Sequence, residues 1–212
     1  MSDIISKRLL KLGKNIKKDR GVLLGYKSKR AIKKEHLSIG DGALIRSGAV
    51  IYAGSSIGSN LETGHNVVIR EQNLIGNNLS IWNNSVIDYG CKIGNSVKIH
   101  SNVYVAQFSV IEDNCFLAPG VIIANDLHPG CEFSKKCIKG PTLKKGAQIG
   151  VNVTILPGVV IGENSLIGAG SVVTKDVPDG MVAFGNPARV RRSVYNLRCP
   201  FKITEQPYKK DR

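Results

Sequence analysis

One histidine, in the stretch "ANDLHPG" at residues 124–130, interrupts a chain otherwise dominated by small and aliphatic residues. Imidazole changes charge near neutrality, so it can take up and return a proton within one reaction cycle. That makes His128 the first candidate for a general base. Asn125 and Asp126 stand beside it, with oxygens suited to hydroxyl-bearing substrates, and Asp126 could also orient the ring. The competing reading is a loop histidine with only structural bonds. Cys131 and Cys137 follow in "GCEFSKKC", but their spacing fits no standard zinc knuckle and no second pair completes a site, so no metal is expected. Five cysteines, an odd number without paired spacing, fit a reducing compartment.

The scaffold that must hold these residues counts in sixes. Stepping from Ile39 to Ile123 by six meets an aliphatic residue at every position but one, Thr63. Neither a helical period of 3.6 nor a strand period of 2 produces this. Small or β-branched residues recur two places earlier (Ala43, Ala49, Ser55, Val67, Ser85, Cys91), and Gly or Asn often follows ("IGSN", "IGNN", "IGNS"). Inward aliphatics with Gly/Asn corners describe a solenoid of short parallel strands, three hexapeptides to a coil, in which residues 18 apart stack. A second series runs from Leu143 to Val173, and the step from 123 to 143 is no multiple of six. Residues 124–142 therefore leave the solenoid at one corner and return, carrying His128 with them.

Stacking nominates further residues. His100 follows Ile99 and points outward, one layer below Ala118. Asn66, Asn84 and Asn102 form a column. Asn is a good corner residue. His100, Asn84 and Asn102, on coils near the excursion, are also candidates to bind a substrate.

The net charge of +14 is concentrated at the ends: residues 1–36 carry +9, residues 189–212 carry +6, and the body −1. That pattern suits phosphorylated small molecules as well as nucleic acid, and no nucleic-acid partner is inferred. Ile5, Leu9, Leu12 and Ile16 fall at helical spacing, with Ser2 able to cap. Residues 1–36 thus read as a basic amphipathic helix or arm. Docking on the protein is favoured over contact with a membrane surface. Residues 37–188 form the solenoid domain, and 189–212, with Pro200 and Pro207, an extended basic tail. With no apolar run of about 20 residues and no signal-peptide core, the expected location is cytoplasmic.

The repeats, together with "IGVNVTILPGVVIGENSLIGAGSVVTKDVPDGMVAFGNPARV" at 149–190, resemble the hexapeptide-repeat acyltransferases. The resemblance covers residues 37–190. It implies a left-handed parallel β-helix, acetyl-CoA as co-substrate, and a homotrimer with active sites between subunits. The stretch "VKIHSNVYVAQFSVIEDNCFLAPGVIIANDLHP" looks most like the branch acetylating sugars carried on nucleotides for surface polysaccharides. Transfer to a sugar hydroxyl or amine is therefore the implied reaction, with His128 matching the base in the "HP" of galactoside and maltose acetyltransferases. Donor contacts carried over from the family are Gly150, Ala169, Thr174, Lys175, Arg189 and Arg192, with Gly150 a candidate source of an oxyanion-binding N–H. Val151 departs from the family's small polar residue. A zinc carbonic anhydrase on the same fold would need a third histidine where Val105 stands. The remaining alternative is a catalytically inactive β-helix serving in assembly or regulation.

Overall fold

A period of six leaves two residues for pairing and four for turning a corner, and most strands are indeed two residues long. The computed structural model describes residues 9–32 and 35–208, which wind into a parallel β-helix with three faces. The first face holds eight strands, among them Leu37–Ile39, Ser56–Ile57 and Leu74–Ile75. The second holds ten, including Leu44–Ile45, Glu62–Thr63 and Ser80–Ile81. The third holds eight, including Val50–Tyr52, Val68–Ile69 and Val86–Ile87. The chain visits them in that order, coil after coil.

The counted aliphatics all point inward. Ile45, Ile51, Ile69, Ile87 and Ile99 are fully buried, and so are the small partners Ala49, Val67, Ser85 and Cys91. Each aliphatic contributes roughly 1.5–3 kcal/mol of burial, about three to a coil. The buried serines are satisfied within the backbone: the Ser85 hydroxyl donates to the His100 carbonyl at 2.7 Å. Burial pushes the Cys91 and Cys115 thiols up to about 12, which makes them inert filler. Asn66, Asn84 and Asn102 take φ of 56°, 59° and 60°, the left-handed conformation that Asn tolerates better than most residues. Their corner role needs no ligand.

Both ends depart from the sequence reading. Residues 9–26 form a first coil and not a helix: Leu10–Leu12, Lys17–Lys18 and Leu23–Tyr26 pair with the strands at Leu37, Leu44 and Val50. Without this coil the next one would expose a row of unpaired backbone groups, and its peptides satisfy them, as in Gly13 N–H to the Ile39 carbonyl at 2.8 Å. Gly13 and Asn15 (φ 58°) break the helical pattern from within. The solenoid thus starts well before residue 37, while Ser2 and Ile5 of the expected helix lie outside the described residues. At the other end, the tail opens as the strand Ala188–Ser193, antiparallel to Met181–Gly185, and continues in a 3-10 turn at Val194–Asn196.

Candidate active site

The excursion leaves at the corner between the third and first faces. Below it, from the strand at Leu37 upward, strands pair 18 residues apart. Across it Ile111 pairs with Leu143, Leu117 with Ile149 and Ile123 with Ile155, 32 apart. The neck is narrower than 124–142, because the Lys139 N–H donates to the Asn125 carbonyl at 2.8 Å and closes the loop there.

Inside the loop, Asp126 organises the turn. One carboxylate oxygen accepts the His128 backbone N–H at 2.9 Å and the other accepts the Ser134 hydroxyl at 2.5 Å. These bonds hold its carboxyl below the usual carboxylate range, the Ser134 hydroxyl contributing most. Asp126 therefore grips the backbone of His128, whereas the sequence suggested that it orients the ring. The His128 carbonyl accepts the Cys131 N–H at 3.0 Å, and one helical turn, Ser134–Cys137, follows with no buried residue. His128 is exposed, as are Leu127 and Phe133 in the same loop.

The neck stands on a chain of polar groups that the sequence reading missed. The Asn125 side-chain amide donates to Gln107 Oε1, and Gln107 Nε2 donates to Asp88 at 2.6 Å. Asp88 also accepts the Tyr104 hydroxyl at 2.8 Å and pairs with Arg70 at 3.6 Å. Burial and this carboxylate push the Tyr104 hydroxyl up to about 12, so it stays a donor. Arg70 and Arg30 both bond Glu71, whose side chain is fully buried. The signal was available: Gln107 and Asn125, like Arg70 and Asp88, are 18 apart at outward corner positions.

Burial raises the Glu71 carboxyl, but bonds from Arg70, its own N–H, Arg30 and Ser28 outweigh that and lower it from 4.5 to about 2. A carboxyl depressed in the folded state stabilises fully above its unfolded value, and that stabilisation fades as pH falls from about 4.5 towards 2. The loss should reach about 2–3 kcal/mol. Thermal unfolding midpoints should therefore fall more steeply over that window in the wild type than in Glu71→Gln. Parallel curves would show that the pair contributes nothing.

The other sequence candidates divide between two corners. Thr174 and Lys175 lie at the same corner as the excursion, above it, since Thr154–Ile155 pairs with Val172–Val173. Lys175 and Arg189 line one cavity of about 240 Å³ with Asp176, Val177 and Ala188. Arg192 lies on the same terminal strand and is exposed. Asn84, His100, Asn102, Gly150 and Ala169 sit instead at the corner between the second and third faces, so one chain does not bring them to His128. There His100 packs between Trp82 and Phe116, ring centroids 5.8 and 4.9 Å away. The Gly150 N–H donates to the Ile167 carbonyl at 2.9 Å and is thus engaged in the ladder, which removes it as the oxyanion donor. Val151, at the same corner, is 44% exposed.

Comparison with known proteins agrees with this fold. The bacterial transferase hexapeptide model, six repeats, matches residues 90–125 and 140–175, and so omits the loop between the two neck residues. The galactoside O-acetyltransferase of Lactococcus lactis is 39% identical over 92 residues, 40% of this chain and 42% of that protein. A dTDP-3-amino-3,6-dideoxy-alpha-D-galactopyranose 3-N-acetyltransferase from Aneurinibacillus thermoaerophilus is 51% identical over 61 residues, 29% of this chain and 31% of that protein. The chain thus spans less than half the length of these curated relatives. A Bacillus cereus structure, provisionally named an acetyltransferase, superposes with a TM-score of 0.53 at 25% identity, covering 81% of this chain and 83% of its own. The fold is the left-handed β-helix. Two repeat blocks of this chain, residues 90–125 and 140–175, are thus similar to the bacterial hexapeptide-repeat transferases, with residues 126–139 inserted between them.

Proposed function

We propose that the protein transfers an acetyl group from acetyl-CoA to a hydroxyl or amino group of a sugar, with His128 as general base. The observation that carries this reading is the loop itself: fourteen residues extruded between two repeat blocks, locked at the neck and by Asp126, presenting one exposed imidazole. His128 would take the proton from the acceptor as its oxygen or nitrogen attacks the thioester carbonyl. The tetrahedral intermediate would then expel the coenzyme A thiolate, which recovers the proton from the imidazole. No protein nucleophile is needed.

Lys175 and Arg189, converging on one cavity above the loop's corner, suit the phosphates of coenzyme A. Thr174 and Arg192 are further donor contacts on this reading. Asn125 and Asp126 lie closest to the acceptor. A homotrimer would set the corner bearing Asn84, His100, Asn102 and Ala169 of one copy against the loop corner of the next, completing the site between subunits. The sugar acetyltransferases among the relatives favour a sugar acceptor, including one linked to a nucleotide.

The test is acetyl transfer from acetyl-CoA to a panel of free and nucleotide-linked sugars, read by mass spectrometry of the product. Lys175→Ala and Arg189→Ala should each weaken coenzyme A binding about five- to twentyfold at low salt and less at high salt, where phosphate contacts are screened. Acetylation of no sugar would remove the acceptor class, and unchanged calorimetric affinity in both variants would place the donor elsewhere.

A further inference from the structure

At the corner between the second and third faces, successive coils carry Arg46, Gly64, Trp82 and His100, each 18 residues from the last. Trp82 is the chain's one tryptophan, and it is 45% exposed. The His100 ring covers one side of the indole, their planes 17° from parallel. On the other side the next coil offers only Gly64, so the free indole face looks across a missing layer towards Arg46. The gap is built in: a Cβ on Gly64 would lie 2.5 Å from the Asn83 backbone nitrogen, so no larger residue fits. Coils stack about 4.8 Å apart, which puts Arg46 and Trp82 some 9–10 Å apart along the axis. One saturated ring, in contact at about 4 Å on either side, fills that depth.

The resulting cavity measures about 240 Å³ and is lined by Arg46, Glu62, Gly64, His65, Trp82 and Asn83 among others. Its edges are polar and already fixed. The Ser47 hydroxyl and His65 Nδ1 are 2.8 Å apart, and Asn83 accepts the His65 N–H at 2.7 Å. Arg46 is paired with Asp19 at 3.7 Å, and Glu62 stands on the adjoining strand. One aromatic wall, a carboxylate, a guanidinium and an amide around a ring-sized gap are what an uncharged sugar uses: its C–H face lies on the indole and its hydroxyls bond the rim. A nucleotide fits less well, because Asp19 and Glu62 offset the charge that would draw its phosphates.

We propose that this slot is a second carbohydrate-binding site that holds one uncharged pyranose ring between Trp82 and Arg46. It shares a corner with His100, which the proposed trimer sets against the next copy's loop, but Gly64 and Arg46 lie two and three coils below His100, so the slot is separate from the transfer site.

Because Trp82 is the sole tryptophan, intrinsic fluorescence of the full chain reports on the slot directly. Titration with galactose or N-acetylglucosamine should give a saturable change in emission, the same in His128→Ala as in the wild type. Glu62→Ala and Arg46→Ala should weaken it by about tenfold or more, the worth of a hydrogen bond to a charged group. Loss of acetyl transfer with the titration intact would count against the proposed reaction and not against the slot. Four results would overturn the proposal: an emission unmoved by either sugar, an equal response to adenosine, unchanged affinity in both rim variants, or a sugar-free oligomer whose Trp82 resists acrylamide quenching. The last would show that a second copy covers the slot.

Discussion

Replacing His128 by alanine is expected to lower turnover roughly 10²–10⁴-fold, the usual worth of a positioned general base. The variant should fold like the wild type, because the loop places no rung in the core and its helical turn buries nothing. It should still bind coenzyme A, whose proposed contacts at Lys175 and Arg189 belong to later coils. The loss should fall on kcat more than on KM, since a base acts in the transition state and adds little to ground-state binding. Added imidazole should restore part of the rate, which a merely structural histidine would not allow. Near-wild-type turnover would instead point to an acceptor amine that sheds its own proton after attack. The loop would then act as a lid, with Asn125 and Asp126 as its contacts.

The repeat made the core legible because an inward position is the same position in every coil. Ile45, Ile51 and Ile69 could be assigned from spacing alone, and all are buried. The excursion was legible for the same reason, as a step that the count could not absorb. The first coil was not, because its residues pair 27 positions from their partners, a spacing that also breaks the count. Its end position leaves Leu12 and Lys18 exposed, so no buried stripe marks it. Helical spacing from Leu9 to Ile16 arose there by coincidence, against the turn residues Gly13 and Asn15.

The site was legible residue by residue and less so as an arrangement. His128 and Asp126 stand out as candidates because they lie outside the repeat, and both sit in the loop. His100 and Asn102 were placed at the right height, yet on another corner, since a count along the chain gives the layer more readily than the side of the prism. The chain from Asn125 through Gln107 to Asp88 and Arg70 was missed because polar residues at outward positions read as solvated surface. Only their stacking shows that they brace the neck of the loop.

The division between scaffold and loop predicts the outcome of a deletion. Removing residues 126–139 joins Asn125 to Gly140, and Ile123 then lies six positions before Leu143 along the chain. At the same corner one coil below, Gln107 and Phe108 make the turn, Phe108 with φ 62°, so the joined Asn-Gly pair would fill the same two places. Gly accepts that left-handed conformation more easily than Phe does. The pairings of Ile111 with Leu143 and Ile123 with Ile155 need nothing from the excised segment. Shortening a loop also lowers its closure cost, by about 1 kcal/mol. The deleted protein should therefore keep the β-rich circular dichroism of the parent, with stability changed by no more than about 1–2 kcal/mol. Acetyl transfer should fall below detection, further than in His128→Ala, because the base and the acceptor contact at Asp126 leave together. Coenzyme A binding should persist. A deletion variant that unfolds would show that the excursion is part of the core after all. One that still acetylates a sugar would place the chemistry outside the loop.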